Sequence, residues 1–212
     1  MGGWKMFADR EDAARLLAEK LVEFRGKHPL VLAIPRGAVP MAKIIAASLE
    51  GELDVVLVRK LRSPYNPEFA VGSVDETGWC YVAGHAYGEG AGPAYIEREK
   101  ALQMAVLANR RSRYGPSIDP QGRIVIVVDD GLATGSTMIS ALHSLRAKKP
   151  GKLVCAVPVS PPDTLEKVQA LADRTICLDT PKNFQAVGQF YKSFPQIEDE
   201  EVIRLLHEKQ LS

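Results

Sequence analysis

The chain has 212 residues, 46% of them hydrophobic and 25% charged, proportions that suit one ordinary globular domain with elaborations, taken here as residues 1–212. A net charge of +1 gives no global pull toward nucleic acid or a membrane surface, so any anion site must be local. No signal-peptide pattern and no apolar run of about 20 residues occurs. Cys80, Cys155 and Cys177 are odd in number and lack a C-x-x-C pair, and so read as reduced thiols rather than disulfides or metal ligands. A cytoplasmic protein that neither spans a membrane nor binds nucleic acid is expected.

The first predicted element is a helix from Arg10 to about Phe24, with Asp9 as N-cap, Leu17, Leu21 and Phe24 on one face, and its Arg, Glu and Lys residues as the solvated face. Leu30–Ile34 reads as a short strand, Val39–Leu49 as a helix, and Leu53–Val58 as a second strand closed by the basic cluster Arg59-Lys60-Leu61-Arg62. Residues 63–78, with two prolines and little periodicity, read as a long loop, and loops of that length usually carry function. Trp79–Ala83 is a possible short strand, residues 84–92 a glycine-rich turn, and Pro93 to about Arg113 a long helix with Ile96, Leu102, Val106 and Leu107 as core contacts. The basic end of that helix, Arg110, Arg111 and Arg113, suits the macrodipole. Further strands are predicted at Ile124–Val128, Lys152–Val159 and Thr175–Leu178. A helix is predicted over Ser136–Lys148, and another running to about Ala172 with Asp163 and Glu166 as a capping pair. The tail, 181–212, combines an aromatic segment with a short amphipathic helix near Glu198–Glu208. Strands alternating with helices argue for an α/β fold, an open, mostly parallel twisted sheet with helices on both faces.

The stretch from Ile124 to Thr137 carries the chemistry. Five aliphatic residues form a strand buried on both faces. Two carboxylates follow at its carboxyl end, then a turn rich in glycine and hydroxyls that opens a helix. Ligands of parallel sheets bind outside the carboxyl ends of the strands, and unpaired amides entering a helix cradle phosphate. Acids beside a phosphate would repel it unless they serve sugar hydroxyls or Mg²⁺, and the three together suggest a phosphorylated ribose. The plain structural alternative is a strand–turn–helix with an N-capping hydroxyl. Gly131–Gly135 has the glycine spacing of a nucleotide-triphosphatase loop, but the lysine that would follow is missing.

Asp129-Asp130-Gly131-Leu132-Ala133-Thr134-Gly135-Ser136-Thr137 resembles the signature of the type I phosphoribosyltransferases. The resemblance implies that Asp129 and Asp130 hold the ribose of phosphoribosyl pyrophosphate and Mg²⁺, in part through water. It also implies that Gly131, Leu132, Ala133, Thr134, Gly135, Ser136 and Thr137 wrap the 5-phosphate. Ile34-Pro35-Arg36-Gly37-Ala38-Val39-Pro40 is similar to the family's pyrophosphate loop, which often holds a strained or cis peptide near the glycine, making Arg36 and Gly37 candidates. Arg59 and Lys60, followed by a closing loop, are the further pyrophosphate candidates; which of Arg59, Lys60 and Arg62 points inward is not legible. A small hood is expected from 181–212, with a possible amino-terminal contribution. Its Phe184, Val187 and Tyr191, with Phe190 and Phe194 nearby, would either stack on a planar acceptor or pack in the core.

The resemblance spans about residues 7–205 and departs from the hypoxanthine–guanine branch at Ala133, where that branch has an aspartate; the motif is closer to adenine- and xanthine-type members. Proton transfer would then fall to Glu68 or Glu76, or to the substrate. Two functions are implied: Mg²⁺-dependent transfer of 5-phosphoribose from phosphoribosyl pyrophosphate to a nitrogenous acceptor, a nucleobase by analogy, or non-catalytic binding of phosphoribosyl pyrophosphate or a nucleotide by a regulator. A homodimer is expected by analogy alone.

Overall fold

The computed structural model describes residues 6–66 and 69–208. In chain order they form α1 (Arg10–Lys20), β1 (Leu30–Ala33), α2 (Val39–Leu49), β2 (Glu52–Val55), β3 (Val58–Arg62), β4 (Ala70–Asp75), β5 (Cys80–Val82), α3 (Pro93–Tyr114), β6 (Ile124–Val128), α4 (Ser136–Ala147), β7 (Lys152–Val159), α5 (Pro162–Gln169), β8 (Arg174–Asp179) and α6 (Asp199–His207). The α/β class is as expected. Five strands pair in parallel in the order β2-β1-β6-β7-β8, and three pair antiparallel as β3-β4-β5.

Alternate residues of the parallel strands feed two separate cores. Val31, Ala33, Ile126, Val128 and Val154 face α1 and α2, while Leu32, Val125, Val127, Leu153 and Val157 face Met138, Leu142 and Leu145 of α4. Burial on both sides is why these strands are unbroken aliphatic runs, and each buried large side chain contributes about 1.5–3 kcal/mol.

The Leu53–Val58 run, predicted as one strand, is divided. The chain leaves the parallel sheet after Val55 and enters the antiparallel one at Val58, with Val56 and Leu57 buried in opposite cores between them. Hydrophobicity marks burial here, not a pairing partner. The predicted long loop at 63–78 contains β4, whose residues from Val71 to Asp75 are all buried between α3 and α4. No alternation is left to signal a strand. Leu102 and Val106 are 64% and 42% exposed, not core; α3 instead buries the polar Glu99 and Gln103 against β3. Asp163 and Glu166 make no capping pair, since α5 starts after Pro161 without a side-chain cap. Asp9 does cap α1, accepting from the Asp12 amide at 2.8 Å, but that helix ends at Lys20 and a 3₁₀ turn covers Val22–Phe24. At the far end of α3, Arg111 does more than complement a dipole: it is ion-paired to both Asp54 and Glu76. Among the described residues no helix is long and apolar enough to cross a membrane.

Asp75 pins the two sheets' connections. Its Oδ1 accepts from the Thr77 amide and hydroxyl and the Trp79 amide, and its Oδ2 accepts from Ser144 Oγ at 2.5 Å. Burial alone would raise this carboxyl, but the Ser144 and Thr77 hydrogen bonds and the Lys148 ammonium outweigh it and hold it below the usual range. A depressed carboxyl stabilises the fold above its unfolded value near ~3.9 and loses that contribution as pH falls through the folded value. Asp75→Asn is therefore expected to cost about 1–3 kcal/mol near neutrality in urea titrations, with the gap closing below about pH 4. A gap of equal size at both pH values would contradict the assignment.

Candidate anion and sugar site

β1 and β6 lie side by side at the centre of the sheet, with Ala33 opposite Val128 and the Ile34 amide donating to Val128 O at 2.9 Å. β1 leads through α2 to one flank and β6 through α4 to the other. Their carboxyl ends thus open the crevice where parallel sheets bind ligands. Pro35-Arg36-Gly37 follows β1 and contains a cis Pro35–Arg36 peptide; Asp129-Asp130 follows β6. The two loops touch through Gly37: a β-carbon there would lie 2.1 Å from Asp130 Oδ2. Only glycine lets that carboxylate rest on the backbone.

The 131–137 loop is held from behind. The Leu132 amide donates to Val159 O at 2.9 Å, and Thr164 Oγ1 of α5 donates to Ala133 O at 2.9 Å. Gly135, at φ 71°, caps α4 with no side-chain hydrogen bond of its own, and the Ser136 amide makes only a long 3.4 Å contact to Thr134 Oγ1; helix-start amides without intrahelical partners suit an anion. The Thr134 and Ser136 hydroxyls lie 3.0 Å apart at its mouth. Asp129, Gly131, Leu132, Ala133, Thr134, Gly135, Ser136, Thr137, Met138 and Val187 together line a pocket of ≈ 200 Å³. Val187 closes its side, so near Gly131 that a β-carbon there would meet Val187 Cγ1 at 2.6 Å. The positive end of α4 and the hydroxyl mouth suit a tetrahedral oxyanion.

The two acids differ. Asp129 lines the pocket; burial, then the adjacent Asp130 charge, pushes its carboxyl up. Burial pushes Asp130 up as well, but a guanidinium opposes it. That guanidinium belongs to Arg10, which the sequence places on the solvated face of the first helix. It is 8% exposed instead, with Nε and Nη2 donating to Asp130 Oδ2 at 3.0 and 2.9 Å. No motif marked it; the one available sign was a cation in the first turn of a helix, where the macrodipole disfavours it. Asp129 Oδ1 accepts the Asp130 amide at 2.9 Å, so among the described residues each carboxylate has one oxygen committed and one without a hydrogen-bond partner.

The other candidates are placed as follows. Arg36 Nη1 donates to Glu198 Oε2 at 3.1 Å. Arg59 lies within β3, not at a strand end, and turns toward α3, where its Nε donates to Gln103 Oε1 at 2.5 Å. Lys60 alternates to the opposite face of β3, the side covered by α4, and no hydrogen bond or ion pair engages it among the described residues. Arg62 is exposed. Glu76 is taken by Arg111, and Glu68 lies outside the described residues. Of the hood rings, Phe190 and Tyr191 are core residues at 1% and 6% exposure, and Phe184 is half-buried against Phe190. Tyr191 instead anchors the site, its hydroxyl donating to Asp130 O at 2.6 Å. The segment is stitched to the amino terminus by Phe7 N to Phe190 O, Lys192 N to Phe7 O and Ser193 N to Ala8 O, at 2.8, 2.9 and 3.0 Å.

No cluster of three or more metal-ligating side chains exists among the described residues. Paired hard oxygen donors beside an anion cradle nonetheless fit Mg²⁺, which takes one or two carboxylates and completes its shell with water and substrate phosphates. Gly37→Ala is expected to displace the Asp130 carboxylate and to cost about 1–3 kcal/mol of stability, read from urea midpoints; an unchanged midpoint would show that the contact is loose.

An α/β protein whose central switch point joins a glycine turn, paired acids and a glycine- and hydroxyl-rich loop capping a helix is thereby defined. Residues 3–193 match the phosphoribosyl transferase domain model, and the chain belongs to that family. It is 43% identical to a Thermus thermophilus protein of known crystal structure, with a TM-score of 0.86 over 95% of this chain and 97% of that one. It is 41% identical over 206 residues to a candidate phosphoribosyl transferase of two Mycobacterium tuberculosis strains, covering 95% of this chain and 46% of theirs; the chain spans about half the length of these curated relatives. A purine phosphoribosyltransferase from Pyrococcus horikoshii shares the fold at 16% identity and a TM-score of 0.50, over 89% of this chain and 93% of that one.

Proposed function

We propose that the protein transfers the 5-phosphoribosyl group of phosphoribosyl pyrophosphate to a nitrogenous acceptor. The pocket shared by Asp129, the 131–137 loop and Val187 carries this reading, because it joins a helix-start cradle to a carboxyl group that makes no ion pair among the described residues. The loop amides and the Thr134, Ser136 and Thr137 hydroxyls hold the 5-phosphate. That remote binding energy fixes the reacting carbon. The uncommitted oxygens of Asp129 and Asp130 hold the ribose hydroxyls and stabilise the positive charge that develops at the anomeric carbon. Mg²⁺, held through these carboxylates in part by water, supplies charge neutralisation of the pyrophosphate when bound. Arg36, the Gly37 backbone and Lys60 receive pyrophosphate; Arg59, turned onto α3, drops to a supporting role. The C1–O bond to pyrophosphate breaks, a C1–N bond forms, and the acceptor nitrogen's proton passes to solvent or to the departing pyrophosphate. Glu76, paired to Arg111, is not the base. We place the reaction in the cytoplasm.

One observation favours a second reading, a non-catalytic regulator that binds the same ligand. The Phe190 and Tyr191 rings are packed inward and offer no face to a planar base. A pyrophosphate-release screen over purines, pyrimidines and other amines separates the two: release with an acceptor supports the transferase, and tight ligand binding with no release by any acceptor supports the regulator.

The site itself is tested by Asp129→Asn. With no cation pair to break and a buried charge removed, its melting temperature is expected to hold or rise. Calorimetric affinity for Mg–phosphoribosyl pyrophosphate should fall about tenfold to a hundredfold, the worth of one charged hydrogen-bonding group. Undiminished affinity would overturn the assignment. Asp130→Asn should differ, losing about 3 kcal/mol of stability because it strands Arg10.

A further inference from the structure

Arg10 is the first residue of α1, where a cation opposes the helix dipole and needs compensation from outside the helix. Every side of its guanidinium is used. Nε and Nη2 grip Asp130 Oδ2 at 3.0 and 2.9 Å, Nη1 donates to Pro195 O at 2.6 Å, and the plane lies over the Phe194 ring at 3.7 Å. Phe194 is itself set by Tyr191, 4.8 Å away between centroids, whose hydroxyl returns to Asp130 O. The amino-terminal helix and the carboxyl-terminal segment thus close around one carboxylate. Such a clasp exceeds what an ion pair needs for stability, since one guanidinium–carboxylate contact could be met at the surface. It fixes which oxygen of Asp130 is spent and which remains.

We infer that Arg10 is a positioning residue for the sugar half of the site: it spends Asp130 Oδ2, presents Oδ1 to the ligand's ribose hydroxyls, and makes ribose recognition depend on the docked Phe194–Pro195 segment. The inference rests on the phosphoribosyl reading above. The 131–137 cradle is built on β6, β7, α4 and α5, and among the described residues no hydrogen bond joins it to Arg10, so phosphate recognition should not depend on the clasp.

The experiment compares two probes, ribose 5-phosphate with Mg²⁺ and inorganic phosphate, titrated calorimetrically against wild type, Arg10→Met, Arg10→Lys and Phe194→Leu. For Arg10→Met the expected result is a tenfold to hundredfold loss of ribose 5-phosphate affinity, the usual effect of removing a partner that orients a ligating carboxylate, with phosphate affinity unchanged. Arg10→Lys should recover only part, because an ammonium cannot grip the carboxylate, donate to Pro195 O and stack on Phe194 together. Phe194→Leu keeps the ion pair and so remains informative if the Arg10 variants fail to fold; it should show a smaller loss on the same probe alone. Equal losses on both probes, or no loss on either, would overturn the positioning role while leaving the phosphoribosyl reading intact. Wild-type protein that binds neither probe would instead overturn that reading and this one with it.

Discussion

The parallel pairing of β1 with β6 is the constraint on which the site depends. Ala33 stands opposite Val128, so the turns that leave the two strands emerge as neighbours although they lie some ninety residues apart in the chain. Because the following helices pack on opposite faces, neither helix covers the gap between the turns. The contact there is at atomic distance: Asp130 Oδ2 rests where a β-carbon of residue 37 would be. A sheet with any other central pair would separate the glycine turn from the acids. Each loop would then be an ordinary strand-to-helix connection.

What was legible in the sequence follows from which interactions are local. The Asp129–Thr137 stretch could be read because strand, acids, turn and helix start are consecutive, and the backbone alone makes the cradle. Gly37 could be read as a close approach, though not what it approaches. The β2–β3 division could not, since Val56 and Leu57 are as buried between sheets as they would be within one. The strand β4 was hidden for a related reason: packed between α3 and α4, it buries Ser73 and Asp75 along with its valines, so no polar face alternates with an apolar one. Arg10 was hidden by a general expectation that arginines near a helix start face water. Its partner lies 120 residues away, and only the unfavourable dipole position hinted at it. The hood rings posed an open choice that composition could not decide; Phe190 and Tyr191 are buried in the core, while Phe184 and Phe194 are half-buried.

The charges around the switch point balance by layers. At the front, the α4 amino terminus and the loop amides provide a positive field made of backbone, which costs no side-chain entropy and does not titrate. Directly behind stand two carboxylates that would cancel this field if both were uncompensated. The structure treats the two differently: Asp130 is ion-paired from the rear by Arg10, while Asp129, which lines the pocket, is pushed up by burial and by the Asp130 charge beside it. A ligand with phosphate at one end and hydroxyls at the other would meet the helix-start cradle and a carboxyl group in that order. A neutral sugar would satisfy Asp129 and leave the cradle unused. The two adjacent acids are thereby made unequal, and that asymmetry is set by Arg10, a residue 120 positions away in the chain.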